Sequence, residues 1–379
     1  MNAILRPNAG PNRLLSLDVF RGITIVGMIL VNNPGTWSHV YAPLRHASWH
    51  GLTPTDLVFP FFMLIMGVSM SYAFARFNHH INREFMLKLV RRSGLLFLIG
   101  MLISLISLLC SGNEAPLAHI RILGVLQRLA LAYFGGALVV MSIKRNRRLL
   151  EVAAGILIAY AAILLLGHGF ELSPDNIIGV IDRNLFGEAH IYRVRMADGT
   201  PLAFDPEGLL SALPGVAQVV IGYVCGNLLR EKRDMQGRLL RLAVLGAVML
   251  FAGYLLSYGC PINKKIWSPT FVLTTCGAGA LALMLLTWII DVRGRRNWTM
   301  PLRDFGLNPL FIYVLSDLIA ILLRNIKIHD ASLRSLAYDA LASIVGDGCF
   351  ASLLYAVAFV GVCYAVAAAM ARRGIVVKL

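Results

Sequence analysis

The chain has 379 residues, of which 58% are hydrophobic and only 15% are charged. A soluble domain is roughly 45 to 50% apolar, so this composition excludes an ordinary soluble protein and indicates a multi-pass membrane protein. The formal net charge is +15, but the basic residues are dispersed over many loops, which argues against a nucleic-acid partner and fits contact with an anionic lipid bilayer.

Apolar runs of about 20 residues recur along the chain without period-2 alternation, which is typical of spanning helices and excludes a β-barrel. We therefore predict an all-α, polytopic bundle of about ten transmembrane helices, forming a single domain over 1–379. The first run carries Asp18 and Arg21 and has no small-residue cleavage site after it, so we expect it to stay in the mature protein. The predicted spans are 15–33, 55–76, 93–110, 121–142, 150–167, 208–229, 239–258, 267–290, 304–323 and 349–370.

The loops between these spans differ in charge. Most of the 35 Lys and Arg residues fall in one set of alternate loops, as Arg91, Arg147 and Arg233 do. Cytoplasmic loops are enriched in these residues, so the pattern predicts that both termini are cytoplasmic. Acidic residues such as Asp56 and Asp205 lie toward the opposite side, and an outer face of mixed charge suits a hydrophilic substrate.

Two connecting segments are long enough to have their own structure. Residues 168–207 form an outward-facing insertion that exceeds an ordinary connection and is typical of a functional cap. Residues 324–348 keep apolar side chains at helical spacing, which predicts an interfacial amphipathic helix. There is no internal repeat, which disfavours an inverted-repeat transporter.

The six cysteines show no metal-binding pattern, since they form no C-x-x-C and have no histidine at ligand spacing. We therefore expect no metal ion. Cys110, Cys260 and Cys349 fall near the outer ends of their helices, which leaves a disulfide among them an open option.

The hairpin between the first two spans carries three histidines, His39, His46 and His50. A histidine titrates near neutral pH, so it can act as a general base or be acylated as a nucleophile. His46 is flanked by Arg45 and Trp49 and is our candidate. The competing interpretation is a loop histidine without a catalytic role.

Asparagines end the first span at Asn32 and Asn33, before a Pro-Gly turn. An amide at this point could donate to an oxyanion or hold a substrate carbonyl or hydroxyl. It could equally be a helix cap. Arg21, at the other end of the same helix, has Asp18 three residues before it as a partner and could also face a cofactor phosphate.

Polar residues also enter the fourth span, at Arg121, Gln127 and Arg128. An arginine at membrane depth costs at least about 2.5 kcal/mol unless it faces a polar interior, so Arg128 is a candidate functional residue. Asp317, in the ninth span, has the charge to pair with it. The alternative interpretation is a buried structural ion pair.

The motifs together resemble those of the heparan-α-glucosaminide N-acetyltransferase family and its bacterial members, in the same order along nearly the whole chain. The matching stretches are 16–22, 31–32, 46–53, 56–60, 121–129, 205–210, 261–268 and 308–314. The chain differs from the family pattern in two ways, and both bear on which acceptor is acetylated more than on the reaction. The segment between Asn32 and His46 is about three residues longer than in the lysosomal enzyme, and a large N-terminal luminal domain is not expected.

The resemblance implies a transmembrane enzyme of a bacterial inner membrane that moves an acetyl group from cytoplasmic acetyl-CoA to the amine of a glucosamine-type sugar outside. It assigns catalysis to His46 and Asn32. The residues expected to bind acetyl-CoA are Arg21, Arg128, Gln127 and Asn308. Those expected to bind an amino-sugar or glycan acceptor are Asp205, Glu207, Asn263, Trp49, Arg121 and His50.

Three matters stay open from the sequence. The acetyl group could pass through an acetyl-histidine or be transferred directly. The chain could instead be an O-acetyltransferase of envelope glycans or a sugar transporter. A homodimer is one option for its assembly.

Overall fold

The computed structural model describes residues 14–196 and 198–377, and this part of the chain is almost entirely helical. The helices are α1 (Leu15–Asn32), α2 (Val58–Phe74), α3 (Arg83–Cys110), α4 (Val125–Ser142), α5 (Asn146–Leu166), α6 (Ile177–Phe186), α7 (Ala212–Arg230), α8 (Met235–Leu256), α9 (Pro269–Thr287), α10 (Met300–Leu307), α11 (Pro309–Asn325), α12 (Leu333–Val345) and α13 (Gly348–Arg372). Four short strands complete it: β1 (Arg193–Arg195), β2 (Pro201–Ala203), β3 (Lys327–Ile328) and β4 (Ala331–Ser332).

Nine helices within the described residues are long and apolar enough to cross a membrane, and a tenth crossing results if α10 and α11 count as one span. The predicted polytopic helical bundle is therefore confirmed. The predicted helix over 304–323 is wrong in one respect, because α10 and α11 meet at a bend of 86°. Asn308 stands in the bend and Pro309 begins α11, and a proline disfavours helical backbone at the residue before it.

Several other helix ends differ from the prediction by a few residues, and two of the differences concern charged residues. Helix α3 begins at Arg83, ten residues before the apolar run, because the side chain of Asn82 accepts a hydrogen bond from Phe85 N and caps the helix there. Helix α4 begins at Val125, so Arg121 lies in the non-helical segment before it. Charged residues belong to the first turns of α3 but lie before the beginning of α4. A hydropathy window cannot tell these two cases apart.

Helix α7 is the most buried of the spanning helices, with 83% of its apolar window inside the protein. It crosses α2 where glycines face each other, since a Cβ on Gly67 would lie 2.2 Å from the carbonyl oxygen of Val219. Small residues allow membrane helices to approach this closely. Gln218 of α7 then donates to the carbonyl of Pro60 (2.9 Å), which fixes the beginning of α2.

The first helix packs on α10 through a second glycine contact. A Cβ on Gly306 would lie 1.9 Å from the carbonyl oxygen of Asp18. In the bend after α10, Asn308 donates to the carbonyl of Ile375 and accepts from Val377 N, both at 2.8 Å. The beginning of α1 and the segment after α13 therefore lie at the same end of the bundle.

Both long connections contain regular structure. The 168–207 insertion holds α6 and an antiparallel hairpin in which Arg193 pairs with Ala203. The 324–348 segment contains a two-stranded turn and the predicted helix, here α12. Cys110, Cys260 and Cys349 are free thiols.

Candidate active site

A cavity of about 630 Å³ opens where α1 ends and α2 begins. The β1–β2 hairpin, the start of α4 and the loop before α9 enclose it. Its polar lining includes residues predicted for the site, namely Asn32, His46, Arg121 and Glu207. The structure thus brings together groups that are far apart in sequence.

His46 is paired with a carboxylate. Its Nδ1 lies 2.7 Å from Oδ1 of Asp56, and the Asp56 side chain is 1% exposed. The other carboxylate oxygen accepts from the backbone N of Ala47 and of Thr53, both at 3.1 Å. Because Asp56 orients the ring through Nδ1, Nε2 is left as the nitrogen available for chemistry in the cavity. We call these two residues the His46–Asp56 pair.

Asn32 and Asn33 have separate roles in the structure. Asn33 is buried and its side chain donates to the carbonyl of Ile29 (2.8 Å), so it ends the helix. Asn32 lines the cavity and is exposed there. Within the described part of the chain its amide makes no hydrogen bond, so the amide is available to a ligand.

Arg121 holds two acidic residues at the cavity wall. Its Nε lies 2.8 Å from Asp205 and its Nη2 lies 2.5 Å from both Asp205 and Glu207. Burial acts against the charged form of Arg121, but Glu207 and Asp205 outweigh it and raise its pKa. Burial likewise opposes ionisation of Glu207, while Arg121 and then Arg128 lower the pKa of that carboxyl. The cluster is a set of fixed charges at the edge of the site.

Arg128 lies behind this wall, whereas Gln127 is buried with its side chain beside Gly100 and Gly124. Arg128 is completely buried, donates to the carbonyl of Pro206 (2.6 Å) and to the Ser211 hydroxyl, and lies 4.6 Å from the centre of the Trp267 ring. It therefore supports the backbone that carries Glu207. The expected partner Asp317 lies instead beside Tyr313.

The loop before α9 is shaped by Asn263, which is buried. Its side-chain oxygen accepts from Lys265 N (2.7 Å) and Ile266 N (3.2 Å). This turn presents Lys264 and Lys265 to the cavity. Asn263 is thus a support of the site in this structure.

His50 and Trp49 are close to that loop. The Nδ1 of His50 lies 3.4 Å from the amide nitrogen of Asn263, and burial lowers the pKa of His50. Trp49 donates to the carbonyl of Phe170 (2.7 Å), which attaches the hairpin between α1 and α2 to the 168–207 insertion. Among the described residues that line the cavity, neither His50 nor Trp49 is included.

Arg21 and Asn308, predicted to bind the cofactor, lie toward the other end of α1. Arg21 contacts Asp18 (3.1 Å), the carbonyl of Gly306 (3.2 Å) and the Ser69 hydroxyl (2.8 Å). The side chain of Asn308 bonds the backbone after α13. The structure therefore separates these two residues from the His46–Asp56 pair.

Sequence reasoning missed several residues of the site. Asp56 stands three residues after Thr53 and forms a capping box with it, a pattern that could have marked it. Lys264, Tyr192, Arg193 and Arg195 also line the cavity, and nothing local in the sequence indicates this. In the described ranges, no group of three or more His, Cys, Asp or Glu side chains is arranged to hold a metal ion.

Comparison with known proteins bears directly on this geometry. Residues 13–258 match the family described as heparan-alpha-glucosaminide N-acetyltransferase, catalytic. The human protein named heparan-alpha-glucosaminide N-acetyltransferase is 31% identical over 370 residues, which cover 82% of this chain and 54% of the human protein. The mouse protein of the same name is 29% identical over 361 residues, covering 80% and 53%. The chain spans about half the length of these curated relatives.

The matched region contains Asn32, His46 and Asp56, and therefore the catalytic candidates that the cavity brings together. The match over most of the chain and the nine apolar helices lead to the same assignment. This chain is a membrane-embedded member of the heparan-alpha-glucosaminide N-acetyltransferase family.

Proposed function

We propose that this chain transfers the acetyl group of cytoplasmic acetyl-CoA to the amine of a glucosamine-type sugar on the outer side of a bacterial inner membrane. The observation that carries the proposal is the 2.7 Å contact between His46 Nδ1 and Asp56 in a cavity that Asn32 also lines. An imidazole oriented by a carboxylate can act as a general base for acyl transfer, and an unbonded amide can donate to the oxyanion.

These positions support the following reaction. The sugar amine attacks the thioester carbonyl carbon, and His46 Nε2 accepts the proton that the amine loses. Asn32 donates to the oxyanion that forms on the carbonyl oxygen. The carbon–sulfur bond then breaks, and the leaving thiolate receives the proton from the imidazolium. Asp56 stabilises the imidazolium between these two proton transfers.

A small apolar void adjoins the large cavity, and we take its lining as the line along which the donor enters from the Arg21 end of α1. This space, about 10 Å³, is lined by Ile25 and Leu310 and shares Met28, Phe59 and Tyr313 with the large cavity. Its lining residues include members of the large-cavity lining and also Leu310, in the first turn of α11 after the bend. A thioester arm could follow this line through the hydrocarbon region if the side chains rotate, with its phosphates left near Arg21.

The acceptor would lie against the charged wall. Glu207 and Arg121 line the cavity and offer an acceptor and donors of hydrogen bonds to sugar hydroxyls. Asp205 is engaged by Arg121 and the backbone N of Glu207 (2.9 Å), so we give it a positioning role. Arg128 supports the same wall from behind, while Asn263 supports the loop that carries Lys264.

The test uses purified protein, labelled acetyl-CoA and glucosamine. We expect N-acetylglucosamine and free coenzyme A to form in equal amounts. The His46→Ala variant should lose at least about 100-fold in kcat/KM, because a general base contributes 10² to 10⁴. His39→Ala is the matched control, since His39 lies in the same hairpin and bonds Tyr338 (3.3 Å), and its activity should be retained.

Other outcomes identify the alternatives. A base-labile acetyl ester would indicate O-acetylation of a glycan. Sugar uptake by proteoliposomes, without coenzyme A release from any amine or sugar acceptor, would indicate a transporter and contradict the proposal. An acetylated His46 peptide trapped without acceptor would replace direct transfer by a two-step scheme.

A further inference from the structure

Lys264 lies against both members of the His46–Asp56 pair. Its Nζ is 3.0 Å from His46 Nδ1 and 3.4 Å from Asp56 Oδ1, and its side chain is 19% exposed. The turn that Asn263 fixes delivers this amine to the pair. The proposed transfer chemistry does not use Lys264, so its position needs a separate explanation.

The hydrogens of the three groups can be placed by exclusion. At 2.7 Å, a proton must lie between His46 Nδ1 and the Asp56 carboxylate, since two acceptors without a proton would repel each other. Nδ1 is therefore the donor, and the ammonium of Lys264 can donate only to Asp56. Burial lowers the pKa of Lys264, while Asp56 and then Glu207 act in the opposite direction.

We propose that Lys264 is a positioning residue that balances the charge of Asp56 and so keeps His46 as a neutral base with its proton on Nδ1. This inference rests on the proposed role of His46. A carboxylate alone favours the imidazolium, whereas a cation at 3.0 Å from the ring disfavours it. With both present, His46 can accept a proton from the acceptor amine and release it to the leaving thiolate.

The other charged groups that the structure describes around the cavity have no contact of this kind with the His46–Asp56 pair. Glu207 is engaged by Arg121, and Arg193 and Arg195 reach the cavity from β1. The amine of Lys265 lies 5.9 Å from the centre of the Trp49 ring. Lys265 is therefore a neighbouring cation with the same chemistry but without a contact to His46 in the structure, which makes it the matched control.

The experiment measures the reactivity of His46 itself. The purified protein in detergent is treated with diethyl pyrocarbonate across a pH series, and modification of the His46 peptide is followed by mass spectrometry. In Lys264→Met, the pH of half-maximal reaction should rise by about one unit, because loss of the cation favours the imidazolium. Lys264→Arg retains the charge and should stay near the wild-type value.

Lys265→Met should move the same midpoint by less than half as much. If Lys264→Met does not elute as a folded peak, Lys264→Gln carries the same expectation. An unchanged midpoint in a folded neutral variant, or an equal shift in Lys265→Met, would overturn the proposal. The readout needs no acceptor, so failure of the acetyltransferase assay and failure of this proposal are separate results.

Discussion

Adjacent asparagines at the end of α1 are in different surroundings. Asn33 is buried and bonded to the carbonyl of Ile29, whereas the Asn32 amide is open to the cavity. Two alanine substitutions can therefore separate a role in catalysis from a role in stability. This contrast exists within one turn of the same helix.

We expect Asn32→Ala to lower kcat/KM by about 100-fold or more, as loss of an oxyanion donor does elsewhere, without changing the thermal midpoint. Asn33→Ala should instead destabilise the protein by about 1 kcal/mol through the lost helix-end hydrogen bond. Steady-state kinetics and thermal unfolding in detergent measure both. If Asn33→Ala loses transfer and Asn32→Ala retains it, the oxyanion role of Asn32 is wrong.

For single residues, the chemistry of the side chains in the sequence predicted some of the residues that line the cavity but not others. His46 and Asn32 could be predicted because their chemistry is unusual between two apolar spans. Asp56 was predicted only as an outer acidic residue, although its contact with His46 bridges just ten positions. Lys264 contacts His46 across 218 positions, and no local pattern specifies a contact of that kind.

Among the elements, α12 holds the turn that follows Asn32. Arg334 of α12 donates to the carbonyl oxygens of Gly35 (3.2 Å) and Pro34 (3.0 Å). Burial lowers the pKa of Arg334, yet its guanidinium offers two donors in a plane that suits adjacent carbonyls. A helix far along the sequence thus helps to fix the end of α1.

We expect Arg334→Ala to lower kcat by about tenfold, since small displacements of a catalytic group are costly, while KM for acetyl-CoA changes little. Arg334→Lys should recover only part of the loss. Arg324→Ala is the control, because Arg324 is exposed and bonds the Ser107 hydroxyl (3.1 Å) away from this turn. Equal losses in the two alanine variants would argue against a specific role of α12.

The long apolar runs were enough to predict that the helices exist, but they did not predict where a helix is broken. The run over 304–323 contains Asn308-Pro309, and this local signal was outweighed by the continuous hydrophobicity around it. The break has a tertiary cause as well, because Asn308 bonds the backbone at Ile375 and Val377. A hydropathy window cannot detect hydrogen bonds between residues so far apart in the sequence.

At the scale of the whole molecule, the direction of the bundle determines which path the proposed donor would take. The beginning of α1 packs on α10 at Gly306, and the backbone at Ile375 bonds Asn308 in the following bend. The ends of the described chain therefore lie together, away from the cavity at the end of α1. Cytoplasmic acetyl-CoA would then have to pass along α1 to reach His46.

Reporter fusions test this arrangement. The basic loops predict a cytoplasmic C-terminus, so a C-terminal green fluorescent protein should fluoresce in bacterial cells. Alkaline phosphatase inserted at Gly199, in the exposed turn between β1 and β2, should be active, because this turn belongs to the cavity side. The reverse pair of results would place the His46–Asp56 pair on the cytoplasmic face. Acetyl-CoA would then need no path through the bundle, and the narrow space beside Leu310 would have no part in delivering it.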